Sequence, residues 1–275
     1  SLKDIKGFTG NDLLQSFSKA VSYDGYVTYV GNRNFNDVAS LLKSVYQLNT
    51  SAIPGDKPIR QLKKYDKPTV FLASNKKFLQ SNIYFYILGN PLDKKAWMPC
   101  EAYNEYMGGS MAGVVFQEIR ELRSLGYSAY GAYAYDNLNR RPGYAIGYLG
   151  TQTDKTIDGC KAMSDLFLQF PDKPEKFEMA KISLIHKQEA NYINFRDLPG
   201  AIHNWKEEGY ISDPRPAQLH QVIEMKYEDV KHFYEQNIGK RPMVITIAGD
   251  KSRIDRKELE KMGTVIEVKY KDIIK

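Results

Sequence analysis

The stretch FQEIRELRSLGYSAYG, residues 116–131, contains the corner that decides the fold. Its first half has charged and apolar residues at helical spacing, whereas its second half is rich in the small and aromatic residues typical of strands. Gly126 stands between the halves, where a helix commonly ends. The stretch therefore predicts a helix over about residues 111–125, followed by a strand over about 127–135.

The two faces of this predicted helix differ in chemistry. At 100° per residue, one face is apolar and should lie against a sheet; it carries Met111, Val114, Val115, Ile119 and Leu122. Arg120 lies opposite, with Phe116 and Arg123 to either side. Glu118 falls within the apolar stripe, so it needs a partner that the sequence does not identify.

Arg120 and Tyr127 are both hydrogen-bond donors placed around the corner. A guanidinium and a phenol suit a carbonyl oxygen or a developing oxyanion, and neither is a base or nucleophile at neutral pH. Any role in chemistry would therefore be binding and polarisation. The simpler interpretation is that Arg120 is a solvated helix residue and Tyr127 a core aromatic residue.

Hydrophobic periodicity and turn residues predict strands and helices along the whole chain. The predicted strands cover residues 26–30, 68–74, 82–88, 127–135, 143–151, 243–248 and 264–270. The predicted helices cover residues 8–22, 35–46, 97–107, 111–125, 155–169, 174–194, 198–208, 227–237 and 255–262. Strand hairpins mixed with helix pairs favour an α+β fold, with helices covering a largely antiparallel sheet. No low-complexity linker divides the chain, which predicts one domain over residues 1–275.

One short internal similarity is visible. YVTYVGN, residues 26–32, precedes the helix predicted near residue 35, and VITIAGD, residues 244–250, precedes the helix predicted near residue 255. Each is a strand, a glycine and an amide or acid, followed by a helix. The similarity predicts two alike strand–helix corners rather than a true repeat.

Composition fits an ordinary soluble globular protein, with 42% hydrophobic and 26% charged residues among 275. No apolar run reaches bilayer length and no signal-peptide pattern is visible, which leaves the compartment open. The chain does not begin with methionine, so we expect it to be a fragment of a longer protein. Cys100 and Cys160 lie in helix-like segments, where buried free thiols are the expected state.

The net charge of +6 raises the hypothesis of a basic nucleic-acid module. The densest basic stretch, KPIRQLKKYDK at residues 57–67, is interrupted by an acidic residue and has no nucleic-acid-binding signature around it. A mildly positive surface is sufficient explanation. We therefore expect no nucleic-acid partner.

Two further patterns resemble functional motifs without satisfying them. GGSMAG, residues 108–113, is followed by Val114 and Val115, where a phosphate-binding loop needs lysine and a hydroxyl. We expect instead that two glycines end one helix and Ser110 caps the next. The histidines lack the spacing of a zinc site, and the H-x-x-E at residues 186–189 is followed by Ala190; they are His186, His203, His220 and His232.

YMGG at residues 106–109, followed by FQEIRELRSLGYS at residues 116–128, resembles the second-domain signature of the pitrilysin or insulinase metallopeptidases. These are the inverted-zinc-motif peptidases, relatives of the mitochondrial processing peptidase. Residues 26–48 are similar to the opening strand-Gly-helix of that domain, and residues 243–270 to its closing elements. The resemblance covers nearly the whole chain, but only residues 106–128 are specific to the family.

The resemblance implies a mixed sheet of about six strands with helices on one side. It also implies that Arg120 and Tyr127 approach the scissile carbonyl of a peptide substrate, with Phe116 and Arg123 in support. The family's zinc motif, H-x-x-E-H, is nowhere in these residues. The resemblance therefore implies no metal, no other cofactor and no catalytic residue in this chain alone, with zinc in the missing half, in cis or in trans.

Two functions of one fold remain open from the resemblance. The first is the C-terminal, zinc-free part of a pitrilysin-type zinc endopeptidase, which binds peptide and polarises the scissile carbonyl although the chain alone is inactive. The second is a non-catalytic scaffold that stabilises a partner subunit.

Overall fold

The computed structural model describes residues 2–23, 25–45, 61–109, 111–136 and 141–269, without the side chains of residues 2–4 and 127. Contacts within the chain divide it into two compact units. The first contains residues 1–61, 192–212 and 274–275, and the second contains residues 62–191 and 213–273. The single-domain prediction for residues 1–275 stays a prediction.

A six-stranded mixed sheet is the centre of the second unit, in the part of the chain that the structure describes. Its order is β3-β4-β2-β5-β1-β6, with strands β1 (Thr69–Ser74), β2 (Gln80–Pro91), β3 (Gly126–Ala134), β4 (Pro142–Gln152), β5 (Val244–Gly249) and β6 (Thr264–Val268). β2 is antiparallel to β4 and β5, and β3 is antiparallel to β4. β1 is parallel to β5 and β6. The predicted α+β fold with a largely antiparallel mixed sheet is confirmed.

Helices of the second unit follow the predicted order with one addition. They are α4 (Lys94–Asn104), α5 (Thr156–Leu168), α6 (Pro174–Glu189), α8 (Arg215–Glu224), α9 (Tyr227–Asn237) and α10 (Arg256–Met262). Sequence reasoning missed α8, because two prolines flank its start and Val222 is its buried residue. A helix with so little apolar periodicity has no clear signal.

The sheet has one covered face and one open face, as alternation along β2 shows. Ile83, Phe85 and Ile87 are buried to 1% exposure or less, and the Phe85 ring stacks on Phe167 of α5 at a centroid distance of 6.3 Å. Tyr84, on the opposite face, is 47% exposed. Successive side chains of a strand point to opposite faces, so the helices cover only one side.

Both cysteines belong to the covered core. Cys100 and Cys160 are free and buried, which confirms the expected buried thiols. Burial raises the pKa of both thiols, that of Cys160 to about 12. Since the thiolate is the reactive form, these side chains act as small apolar core residues.

The described part of the first unit contains four helices with little burial. They are α1 (Leu2–Gly7), α2 (Gly10–Ala20), α3 (Phe35–Val45) and α7 (Leu198–Glu207). Thr9 caps α2 as predicted: its side chain accepts a hydrogen bond from the Asp12 amide at 3.3 Å. Neither α2 nor α3 contains a buried residue.

The strand predicted at residues 26–30 is wrong for this structure, because residues 25–30 form no strand there. The ring of Tyr26 lies 4.0 Å from that of His203 in α7, measured between centroids. A strand needs a neighbouring strand to take up its backbone hydrogen bonds. The described part of the first unit, which is helical, supplies no such neighbour.

The paired glycines at 108 and 109 were predicted to close a helix, and they are the last two residues of the described helical run. α4 ends at Asn104, and a π-helical turn continues over Glu105–Gly109. A Cβ at Gly108 would lie 2.5 Å from the Gly131 carbonyl oxygen of β3, and one at Gly109 would lie 2.2 Å from Glu105 Oε2. The glycines therefore allow close contacts between backbones and with a buried carboxylate. Ser110, predicted as a cap, lies outside the described residues.

We predict that Gly108→Ala destabilises the fold, because the added methyl group would meet backbone rather than a movable side chain. The expected loss in the free energy of unfolding is about 1–3 kcal/mol, the usual cost of overpacking. Urea denaturation followed by circular dichroism measures it. Gly200→Ala in α7 is the control, because its Cβ would meet nothing within 4 Å. Equal midpoints for the two variants would contradict the close approach of the π-helical turn to β3.

Candidate functional site

The helix before the corner is shorter and wider than predicted. A π-helix covers Phe116–Glu121, and its end is marked by the Leu122 amide, which donates to the Gln117 carbonyl oxygen at 2.9 Å. Val114, Val115 and Ile119 are fully buried as predicted, but Met111 and Leu122 are 75% and 70% exposed. The predicted apolar stripe is wrong at both ends. Met111 lies in a turn before the helix begins, and Leu122 follows a π-helix, whose spacing departs from 100° per residue.

Gly126 is not the residue that ends the helix. The left-handed position is Ser124, with φ of 47°, and Gly126 is the first residue of β3. A Cβ at Gly126 would lie 2.3 Å from the Gly150 carbonyl oxygen of β4. This glycine is therefore required by the close approach of two strands rather than by a helix terminus.

Glu118 has the partner that the sequence could not identify. Its carboxylate accepts a hydrogen bond from Lys173 Nζ, at the start of α6, and Arg123 Nη2 lies 4.0 Å from its Oε2. The Glu118 side chain is 13% exposed. Arg123, predicted as a supporting site residue, thus contacts this acid at the base of the corner.

Arg120 is held beside an aromatic ring on the outer side of the π-helix. Its Cζ lies 4.7 Å from the centroid of the Phe116 ring, and its Nε lies 3.5 Å from Glu121 Oε1. The side chain is 35% exposed. Stacking on a ring limits the rotamers of an arginine, so the fork of donors has a restricted direction.

Arg120 lines a cavity of about 460 Å³ at the end of the sheet. The cavity walls come from the corner, from β3 and from β4, and are formed by Gln80, Arg120, Ser124, Gly126, Ser128, Tyr148, Gly150, Thr151, Gln152 and Lys155. Two of these residues are cationic, and none is acidic. The lining is therefore suited to a polar or negatively charged group.

Tyr127 lies between two residues of the cavity wall. The β3–β4 register shifts between Gly126 and Ser128, so Tyr127 is the extra residue of a bulge. Bulges commonly re-aim a side chain next to a functional site. The backbone of Tyr127 is part of β3, whereas its side chain lies outside the described part of the structure.

A group of tyrosines on the open face of the sheet extends from this cavity, and sequence reasoning missed it. We call it the tyrosine face: Tyr84, Tyr86, Tyr130, Tyr144 and Tyr148. Ring centroids are 5.0 Å apart for Tyr84 and Tyr148, and 5.7 Å apart for Tyr130 and Tyr148. Partial burial raises the pKa of Tyr86 and Tyr130. The sequence feature that could have predicted this face is the pair of tyrosines at alternate positions of β2, Tyr84 and Tyr86.

No histidine lines this cavity, and all four histidines belong to helices. His186 Nδ1 is 3.5 Å from Glu189 Oε2 within α6, and both side chains are exposed. His220 Nε2 lies 3.3 Å from Glu224 Oε1 within α8. Among the residues that the structure describes, no group of three or more metal-binding side chains is present. In the same part of the chain, no helix has the length and apolar character to cross a bilayer.

Comparison with known families decides the relationship. The family model of the peptidase M16 inactive domain matches residues 26–184, more than half of the chain. The chain belongs to the M16 peptidase family. This confirms the resemblance to a pitrilysin-type, zinc-free domain, and the inactive domain is the zinc-free half of these peptidases. A search of curated proteins finds no match.

Solved structures share the fold of this M16 domain at low sequence identity. The peptidase M16 inactive domain from Pseudomonas fluorescens has a TM-score of 0.60 at 18% identity, covering 81% of this chain and 52% of that chain. A protease from Helicobacter pylori has a TM-score of 0.63 at 13% identity, covering 90% and 61%. Complex III2 from Candida albicans has a TM-score of 0.57 at 14% identity, covering 86% and 57%. The chain thus spans little more than half the length of these structures.

In this M16 domain, we predict that Glu118 and Lys173 are energetically coupled. A double-mutant cycle with Glu118→Gln and Lys173→Met, measured by urea denaturation, should give a coupling free energy of about 1 kcal/mol. A larger value is not expected, because the Lys173 side chain is 32% exposed. The control cycle uses Arg256 and Glu260, an exposed pair at 3.0 Å, which should give less. Additive effects of the two substitutions at 118 and 173 would contradict the assignment.

Proposed function

We propose that the chain is the C-terminal, zinc-free part of a pitrilysin-type zinc endopeptidase and that it grips the peptide substrate. Arg120, in the wall of a polar cavity beside an edge strand, carries the proposal. Zinc would be held by the other half, in the same polypeptide or in a partner. Zinc, when bound there, would act as a Lewis acid on the peptide bond.

The role proposed for Arg120 follows from its chemistry. A guanidinium presents a planar set of donors and stays protonated at neutral pH, so it can polarise a carbonyl oxygen but cannot take a proton. The Phe116 ring, 4.7 Å from Arg120 Cζ, restricts the guanidinium before substrate binds. Donors that are oriented in advance stabilise an oxyanion without reorganisation. Tyr127, in the bulge of β3, is the second proposed donor through its hydroxyl.

The proposed grip on the rest of the peptide uses strand β3. This strand is at an end of the sheet, so an extended peptide can add to it through backbone hydrogen bonds, a mode that tolerates many sequences. The tyrosine face would receive apolar side chains of the peptide, because aromatic rings offer large contact area with polar hydroxyls at the rim. Tyr148 belongs both to this face and to the cavity wall.

We predict that Arg120→Ala lowers kcat for peptide hydrolysis by about 100-fold in the protein assembled with its zinc-bearing half, the usual cost of losing one oxyanion donor. Zinc content, measured by elemental analysis, should not change, because the described residues of this chain form no zinc site. Arg120→Lys should recover only part of the rate, since an ammonium lacks the guanidinium fork. Tyr127→Phe should lower kcat in the same direction.

Arg256→Ala is the matched control for loss of a guanidinium. Arg256 belongs to α10, is exposed and pairs with Glu260 and Glu267. It is not part of the cavity wall. Unchanged turnover in both Arg120→Ala and Tyr127→Phe, with zinc present, would disprove the roles assigned to them.

The similarity to complex III2 favours one alternative, a non-catalytic scaffold of the same fold. A scaffold would depend on the surface that contacts its partner and not on the cavity. The assembled protein would then contain no zinc and hydrolyse no peptide, and Arg120→Ala would leave its assembly unchanged. Elemental analysis of the purified assembly separates the two functions.

A further inference from the structure

Residues 26–45 of the first unit have the sequence pattern of an element that the second unit uses to complete its sheet. YVTYVGN at residues 26–32 aligns without gaps with VITIAGD at residues 244–250. The alignment matches Thr28 with Thr246 and Gly31 with Gly249. α3 follows the first segment and α10 follows the second.

In the second unit this element occupies the interior of the sheet. β5 pairs with β1 on one side and with β2 on the other. Ile245 and Ile247 are 1% and 0% exposed. Leu259 of the following helix α10 is fully buried. The element therefore has a covered strand face and a helix face that packs on its own unit.

The equivalent residues of the first unit have no such cover. Val27 and Tyr29, which align with Ile245 and Ile247, are 65% and 45% exposed. On α3, Phe35 and Val45 are 81% and 69% exposed. Exposed apolar residues gathered in one segment indicate a surface that another protein surface covers.

A second copy of this chain does not fit that role. In the second unit, β5 already occupies the equivalent position between β1 and β2, so its sheet is complete there. The segment requires a sheet in which that strand is missing. The related structures extend well beyond the region matched by this chain, which covers 52% and 61% of two of them. Such a remainder has room for another unit.

We propose that residues 26–45 are the closing strand and helix of a different unit of the same fold, supplied by the zinc-bearing half of the assembled protein. Residues 26–30 become an interior strand there, with Val27 and Tyr29 on the covered face and Thr28 on the open face. α3 packs beside them as α10 does in the second unit. The proposal rests on the proposed function for its partner, the zinc-bearing half, but it does not depend on the roles of Arg120 and Tyr127.

Hydrogen exchange tests this assignment on the unmodified protein. The backbone amides of residues 27–30 should exchange at least about 100-fold more slowly in the assembled protein than in the 275-residue chain alone. Amides of β5 should be protected in both samples. Equal exchange of residues 27–30 in the two samples would overturn the proposal. So would their protection in the chain alone, because a second copy would then be the occupant.

A pair of substitutions tests the proposed faces. Val27→Asp should lower the melting temperature of the assembled protein by roughly 5–10 °C, or prevent assembly, because it places a charge on a covered face. Thr28→Asp, one residue away, should shift it by less than about 2 °C. In the chain alone, both should be neutral, since Val27 is 65% exposed. Equal effects of the two variants in the assembled protein would overturn the assignment of faces. Peptidase activity is not a readout, so failure here leaves the proposed function untouched.

Discussion

Close backbone contact at the edge of the sheet is the constraint on which the candidate site depends. A Cβ at Gly108 would collide with the Gly131 carbonyl oxygen, and one at Gly126 would collide with that of Gly150. At Gly131 a Cβ would lie 3.1 Å from Val115 Cγ2, so that strand position also lies directly under the corner. These glycines bring the π-helical turn at residues 105–109 and the corner onto β3, and bring β3 onto β4. The cavity is formed where the corner and the two strands meet.

Glu105 ties the π-helical turn at residues 105–109 to α6, and Glu118 ties the corner to Lys173, the residue before α6. Glu105 is 4% exposed and accepts hydrogen bonds from Lys187 Nζ and, at 2.7 Å, from Ser183 Oγ. Glu118 accepts from Lys173 Nζ. A carboxylate with little exposure is stable only when paired and hydrogen-bonded. Glu118 therefore fixes the corner that carries Arg120, which is the preorganisation that a carbonyl-binding donor needs.

The sequence predicted much of the fold, because it is encoded in local periodicity. Strands in which buried and exposed residues alternate, such as β2, were predicted near their observed positions. The cap at Thr9 was also predicted. The π-helix was not, because apolar residues at helical spacing predict an α-helix, and π-helical turns are rare. The partner of Glu118 is 55 residues away in sequence, beyond the reach of any spacing rule. The strand predicted at residues 26–30 was wrong for this structure, because local alternation does not supply the neighbouring strand that pairing requires.

Arg120 could be selected from the sequence because it lies opposite the apolar helix face. In the π-helix its side chain is still partly exposed. The tyrosine face was missed because its members come from three strands. Only the pairing of β2 with β4 and of β4 with β3 brings their rings together. A site built across strands is invisible until the register is known.

The most direct test of the role proposed for Arg120 is a structure of the assembled protein with a non-cleavable peptide bound. We predict that a peptide carbonyl oxygen lies about 3 Å from a guanidinium nitrogen of Arg120, with the peptide extended along β3. A well-ordered peptide bound away from β3, with Arg120 contacting only residues of its own chain, would contradict it.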